Sequence, residues 1–226
     1  MKKQSYFTKG EKWLWFCSVL FITLSFILFD RENYLTLFTS LIGITAIIFC
    51  AKGNPIGQML IIIFGIIYGY ISYSFKYYGE MFTYVGMSVP MAVWALVSWL
   101  KNPYKGNKAE VEVNTLPKKE IPLLIVLTIV VTVVFYFILN ALGTKNIWVS
   151  SFSVTTSFAA VYLTARRSPY FALAYALNDI VLIALWIYAA LSDISYLSVI
   201  ICFIAFLAND LYSFYNWKRM QKKQAQ

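Results

Sequence analysis

The chain has 226 residues, 60% of them apolar or aromatic, only 13% charged, with no histidine and a formal charge of +9. A water-soluble domain carries about 45–50% apolar and about 25% charged residues, so an ordinary soluble domain is excluded. Without histidine there is no Ser-His or Cys-His nucleophile pair and no HExxH zinc site.

Each membrane-spanning helix needs about 20 apolar residues. Read in chain order, the apolar runs predict spans at about Trp13 to Phe29, Leu35 to Ala51, Ile56 to Phe75 and Met81 to Leu100, then Ile121 to Leu142, Trp148 to Ala165, Tyr170 to Leu191 and Ile194 to Tyr215. The expected fold is therefore an all-α integral membrane protein of eight transmembrane helices. The first span begins too far in, and lacks a small-residue cleavage site, to read as a signal peptide.

With the N-terminus in the cytoplasm, sixteen of the nineteen Lys and Arg fall on the inner side, and only Arg31, Lys76 and Lys145 fall outside. Basic residues near span ends resist translocation and are drawn to anionic inner lipids, so both termini are expected in the cytoplasm. The charge thus reads as membrane topology and lipid contact, not nucleic-acid binding. Cys17, Cys50 and Cys202 sit inside apolar runs with no CxxC spacing, which reads as packing. No cofactor and no metal are expected.

Shifting the sequence by 114 residues lays Leu35–Leu100 on Val149–Phe214, and Lys52-Gly53-Asn54-Pro55 on Arg166-Arg167-Ser168-Pro169. Each block then has a basic inner turn followed by a proline that starts its second helix, where a missing N–H costs nothing. Four spans separate corresponding helices, so the blocks run in the same direction. The expected organisation is a parallel 3+1+3 repeat plus one extra N-terminal helix. It divides into 1–34, a cytoplasmic N-terminus and first helix; 35–100, a first three-helix bundle; 101–120, a cytoplasmic basic linker; 121–147, a connecting helix; 148–217, a second bundle; and 218–226, a cytoplasmic tail. Such repeats hold solute near the midplane between the halves.

Polar chemistry enters the membrane at few places. In the third span Gln58, Gly65, Gly69 and Ser72 share a thin face, which fits close helix packing as well as solute contact. The fourth carries Tyr84, Met87, Ser88, Met91, Trp94 and Ser98 along one side, with Pro90 near its centre as the expected hinge. Asp179 is the acidic residue near the middle of a span, in the seventh helix. There Tyr175, Asn178 or Asp179, Leu182 and Trp186 form one stripe. An aromatic platform beside amide and carboxylate groups suits a flat, polar, ring-bearing solute; the alternative is that Asn178 and Asp179 only join helices. Asn209 and Asp210 are expected at the inner interface, partly wet, with Lys218 and Arg219 near enough to pair with Asp210. A carboxylate dyad is not expected, because Asp210 lies far along its own helix. No catalytic residue and no phosphate-binding loop is found, so an enzyme is not expected.

The order of Gly57-Gln58, Gly65, Tyr68, Tyr78-Gly79-Glu80, Pro90 and Trp99, followed by Thr155-Thr156-Ser157, Tyr162-Leu163, Arg166-Arg167 and Asp179, resembles the PnuC family of vitamin B3 precursor transporters. The resemblance spans about Leu35 to Trp217. It implies a SWEET-like fold, often a homotrimer, in a bacterial inner membrane. The implied cargo is nicotinamide riboside or a related nucleoside-like vitamin, moved by facilitated diffusion and trapped by a cytoplasmic nucleoside kinase. On that reading Tyr175, Asn178 and Asp179 lead the site, with Trp186, Gln58, Tyr68, Tyr84, Trp94 and Thr156 as further lining. Tyr175 and a Trp would stack on the base; Asn178, Asp179 and Gln58 would bond ribose hydroxyls or a carboxamide, and Asp179 could offset a cationic ring. The chain departs from the family where a WxxW pattern reads Ala172 and Tyr175, and where Met91-Ala92 and Val161 replace polar residues. Another nucleoside, such as a deoxynucleoside, or a thiamine-like vitamin is therefore an alternative cargo. Proton-coupled uptake through Asp179 and a non-transporting receptor or binding subunit are the alternative modes.

Overall fold

The computed structural model describes residues 6–74, 78–144 and 146–226. Lys2, Lys3, Lys76 and Lys145 of the charge pattern, and the end of the third span at Phe75, lie outside the described residues. Among the described residues, eight helices are long and apolar enough to cross a membrane, where a helix satisfies all its own backbone groups. They are α1 (Lys9–Phe29), α2 (Tyr34–Ala51), α3 (Pro55–Ser74), a fourth span of α4 (Tyr78–Met81), a π-helical segment (Phe82–Ser88) and α5 (Val89–Lys101), then α6 (Glu120–Ala141), α7 (Ile147–Ala165), α8 (Tyr170–Ala190) and α9 (Leu197–Gln224), the last entered through a 3-10 turn at Ile194–Tyr196. An even number of crossings puts both termini on one face.

Local chemistry sets the boundaries. The Thr8 hydroxyl and Glu11 carboxylate form a reciprocal capping box at the start of α1. The turns after α2 and α7 are built alike. Gly53 and Arg167 take positive φ, 65° and 57°, and the bonds Asn54 N–H to Phe49 O and Gly53 N–H to Cys50 O recur as Ser168 N–H to Leu163 O and Arg167 N–H to Thr164 O. These positions are the ones that the 114-residue shift pairs.

Two features differ from the expectation. Pro90 does not kink a continuous helix: it sits in the first turn of α5, and the π segment before it, closed by Val89 N–H to Tyr84 O, accommodates the bond that proline cannot make. The 101–120 linker is also more than a solvated loop. It holds the antiparallel hairpin β1 (Pro103–Tyr104) and β2 (Asn107–Val111), closed by Lys105 and Gly106 with φ of 47° and 79°, the geometry of a type I′ turn. Val111 is fully buried beneath the bundle beside Trp99, Phe171 and Trp217.

Helices α2, α3, α5, α7, α8 and α9 pack in a closed ring, α2 on α3, α3 on α5, α5 on α7, α7 on α8, α8 on α9 and α9 back on α2. Two of these junctions are reciprocal. Trp99 and Ser98 of α5 donate to the Thr164 and Ala165 carbonyls at the end of α7, at 2.8 and 2.6 Å. Trp217 and Asn216 of α9 donate to the Cys50 and Ala51 carbonyls at the end of α2, at 2.8 and 2.7 Å. Outside the ring, α1 leans on α2 and α9, and α6 on α7. Glu11, 1% exposed, accepts from Tyr212 at 2.7 Å and pairs with Lys52 at 3.2 Å, fastening α1 to the ring.

Candidate functional site

The ring encloses a chamber of about 90 Å³. Its floor, toward the face with the termini, is the packed aromatic group Trp99, Phe171 and Trp217, with ring centroids 4.9–6.4 Å apart. Its roof is a second aromatic layer, in which Phe64 lies 6.0 Å from Tyr84 and 6.2 Å from Phe206, and Phe203 lies 5.8 Å from Phe206. Above the roof an outer chamber of about 180 Å³ and a third cavity of about 560 Å³ lead toward the opposite face. Thin backbones make this closure possible. A Cβ on Gly43 would stand 2.6 Å from the Phe206 ring, and one on Gly65 2.7 Å from Val89.

The inner chamber brings together Gln58, Tyr84, Tyr175, Asn178 and Asp179 of the sequence-predicted set. Asn178 is fixed from one side: the hydroxyls of Ser153, Thr156 and Ser157 on α7 donate to its Oδ1 at 3.3, 2.8 and 3.0 Å. With that oxygen occupied, Asn178 has its NH₂ to offer a solute. Thr156 thus positions Asn178. Gln58 donates from Nε2 to the Cys50 Sγ at 3.2 Å and keeps its carbonyl oxygen as an acceptor.

Tyr68 and Trp186 line the outer chamber instead. Tyr68 stacks on Phe64 and lies tilted against Tyr84, and Trp186 lies 5.3 Å from Tyr196. Trp94 faces outward, 41% exposed, with its ring against Tyr162 at 5.8 Å. Its side of α5 is turned away from the chamber, while Ala92, Ala95 and Trp99 point inward and are buried. Ala172, at the first place of the altered WxxW pattern, is fully buried in the floor cluster.

The largest departure concerns Asp210. Rather than a wet interface, it occupies the chamber wall at 5% exposure, and its neighbour Asn209 is fully buried. Asp210 shares that lining with Asp179, itself 4% exposed. Lys218 is directed elsewhere, 4.6 Å over the Tyr170 ring. Asp179 and Asp210 stand at near-equal distances from the connection between α8 and α9, and folding back antiparallel brings them to one depth. At the outer chamber Asp193 accepts the Ser195 backbone N–H at 2.9 Å, which holds its carboxyl below the usual carboxylate range.

A ring of membrane-length helices around a chamber between two aromatic layers fits a transporter, and comparison with known proteins agrees. The family described as nicotinamide mononucleotide transporter matches residues 33–219. The chain belongs to that family. It is 26% identical over 217 residues to the nicotinamide riboside transporter PnuC of Neisseria mucosa, covering 94% of this chain and 82% of that one. It is 25% identical over 193 residues to the nicotinamide riboside transporter PnuC of Haemophilus influenzae, covering 85% and 82%. The crystal structure of the vitamin B3 transporter PnuC superposes with a TM-score of 0.82 at 24% identity, covering 96% of this chain and 94% of that one, which shows the same fold. The protein is a multi-pass membrane transporter, and α1 precedes the part that the family description matches.

Among the described residues, no group of three or more His, Cys, Asp and Glu could hold a metal ion. The transporter's chamber has no lysine or arginine among its described lining residues. What it offers a solute is aromatic faces, one amide from each of α3 and α8, a serine hydroxyl at Ser88, and the carboxyl pair.

Proposed function

We propose that this transporter carries nicotinamide riboside, or a closely related nucleoside-like vitamin, across the cell membrane by facilitated diffusion, with cytoplasmic phosphorylation trapping the solute. The observation that carries the reading is the chamber itself, where Tyr84 and Tyr175 offer ring faces beside Gln58, Asn178 and Asp179. Flat rings bind to such faces while amides and carboxyls fix the sugar. The named relatives are nicotinamide riboside transporters. The excess of Lys and Arg on the face with the termini supports a cytoplasmic orientation for both. The matched turns and reciprocal tryptophans support a parallel 3+1+3 organisation around the connecting helix.

The test is uptake into liposomes holding the purified protein. Labelled nicotinamide riboside should equilibrate without an imposed ion gradient, and should accumulate once a nucleoside kinase and ATP are enclosed. Selective uptake of an uncharged deoxynucleoside would move the cargo and keep the mechanism. Binding without uptake would replace the transporter reading with a receptor.

A further inference from the structure

Asp179 and Asp210 put two buried carboxyl groups in the lining of one chamber. Asp179 Oδ2 has no partner of its own and is buried at the cavity. The titratable groups that face the pair are Cys50 of α2, Tyr84 of the π segment, Tyr175 of α8 and Cys202 of α9. All are neutral in their protonated forms, and no lysine or arginine lines the chamber among the described residues. A lone negative charge here would be desolvated and uncompensated, which is costly in a low-dielectric interior.

We propose that the Asp179–Asp210 pair is a proton-exchanging charge partner for a cationic solute. With no cation present both carboxyls are protonated and the chamber is neutral. When a cation enters, one O–H bond breaks, its proton leaves to bulk solution, and the resulting carboxylate, with its protonated neighbour in the same chamber lining, becomes the counter-charge. The chamber stays neutral in both states. This rests on the chamber being the solute site.

The experiment is calorimetry on the purified full-length protein with nicotinamide riboside, whose ring is cationic, and with its reduced dihydro form, which is uncharged and nearly the same shape. In buffers of different ionisation heat, the cation should bind with release of about one proton. Its affinity should fall by up to about tenfold for each pH unit of acidification, while the reduced form should show neither effect. The Asp179→Asn/Asp210→Asn variant, checked for folding by thermal unfolding, should lose the proton release and the pH dependence together. Cation binding in the parent chain with pH-independent affinity and no buffer-dependent heat would overturn the proposal. Should neither compound bind, the cargo reading fails while the pair is still tested in ligand-free protein. An infrared carbonyl band of protonated acid present in the parent and absent from the double variant supports the stored protons, and its absence from the parent overturns them.

Discussion

Asn178 shows how a buried side chain can be committed before any solute arrives. Three hydroxyls of α7 converge on one amide oxygen, so the amide plane is set by the neighbouring helix. Thr156→Val keeps the volume and removes the donor at 2.8 Å. A neutral hydrogen bond contributes about 0.5–1.5 kcal/mol, so we expect solute affinity to drop about twofold to tenfold with the fold intact, read by calorimetry; unchanged affinity would mean that Ser153 and Ser157 suffice. The stripe of Tyr175, Asn178 and Asp179 was legible in the sequence because polar residues in mid-membrane are rare and recur at helical spacing. Asp210 was not legible, because its depth was measured along α9 alone; pairing it against α8 across their short connection would have found it. Trp94 misled for the opposite reason. Its spacing fits one side of the fourth span, but the π segment adds a residue per turn and rotates the helix after it.

Whole elements were easier to read. Hydropathy found every span because a helix in lipid must be long and apolar, and the sequence ends of α2, α3, α7 and α8 agree with the structure to within a few residues. The hairpin under the bundle was hidden by its polar composition, although the alternation of Val111, Glu112 and Val113 around Lys105-Gly106 was a signal for it. Its strands are held by backbone bonds to three helix ends: Val111 N–H to Gly53 O, Glu112 N–H to Asn102 O and Asn114 N–H to Arg167 O. The α9 helix runs past the expected end at Tyr215 to Gln224, whose side chain accepts from Val113 N–H and donates to Glu110 and Val111 O. The tail is therefore a further anchor of the hairpin. Gln224→Ala should leave the transmembrane core unchanged yet make residues 103–116 cut faster in limited proteolysis; an unchanged rate would mean that the remaining bonds, including Tyr6 to Ala109 O and Gln221 to Thr115, secure the hairpin without it.

At the scale of the molecule, the ring is closed by exchange: the third span of each block holds the first helix of the other through a tryptophan and a small polar neighbour. The 114-residue shift revealed the matching turns, but not this exchange, since Trp99 and Trp217 are 118 residues apart. Trp217→Phe removes one of two donors to the buried Cys50 carbonyl, which keeps the Gly53 N–H, at a cost of about 0.5–1.5 kcal/mol. Trp99→Phe should cost a similar amount at Thr164. Because the two indoles also touch, at 5.4 Å, the double variant should depart from the sum of the singles in thermal unfolding; strict additivity would mean that the two junctions act independently. The floor and the roof of the chamber are thus made of different materials. Opening the floor means parting four side-chain bonds to helix-end carbonyls, together about 2–6 kcal/mol at their usual net strength, whereas the roof is ring against ring. At about 1.4 kcal/mol per factor of ten, the two doors keep different clocks. If floor and roof act as the two gates, a solute would meet an open far side about thirty times or more for each occasion on which the basic side lets it go.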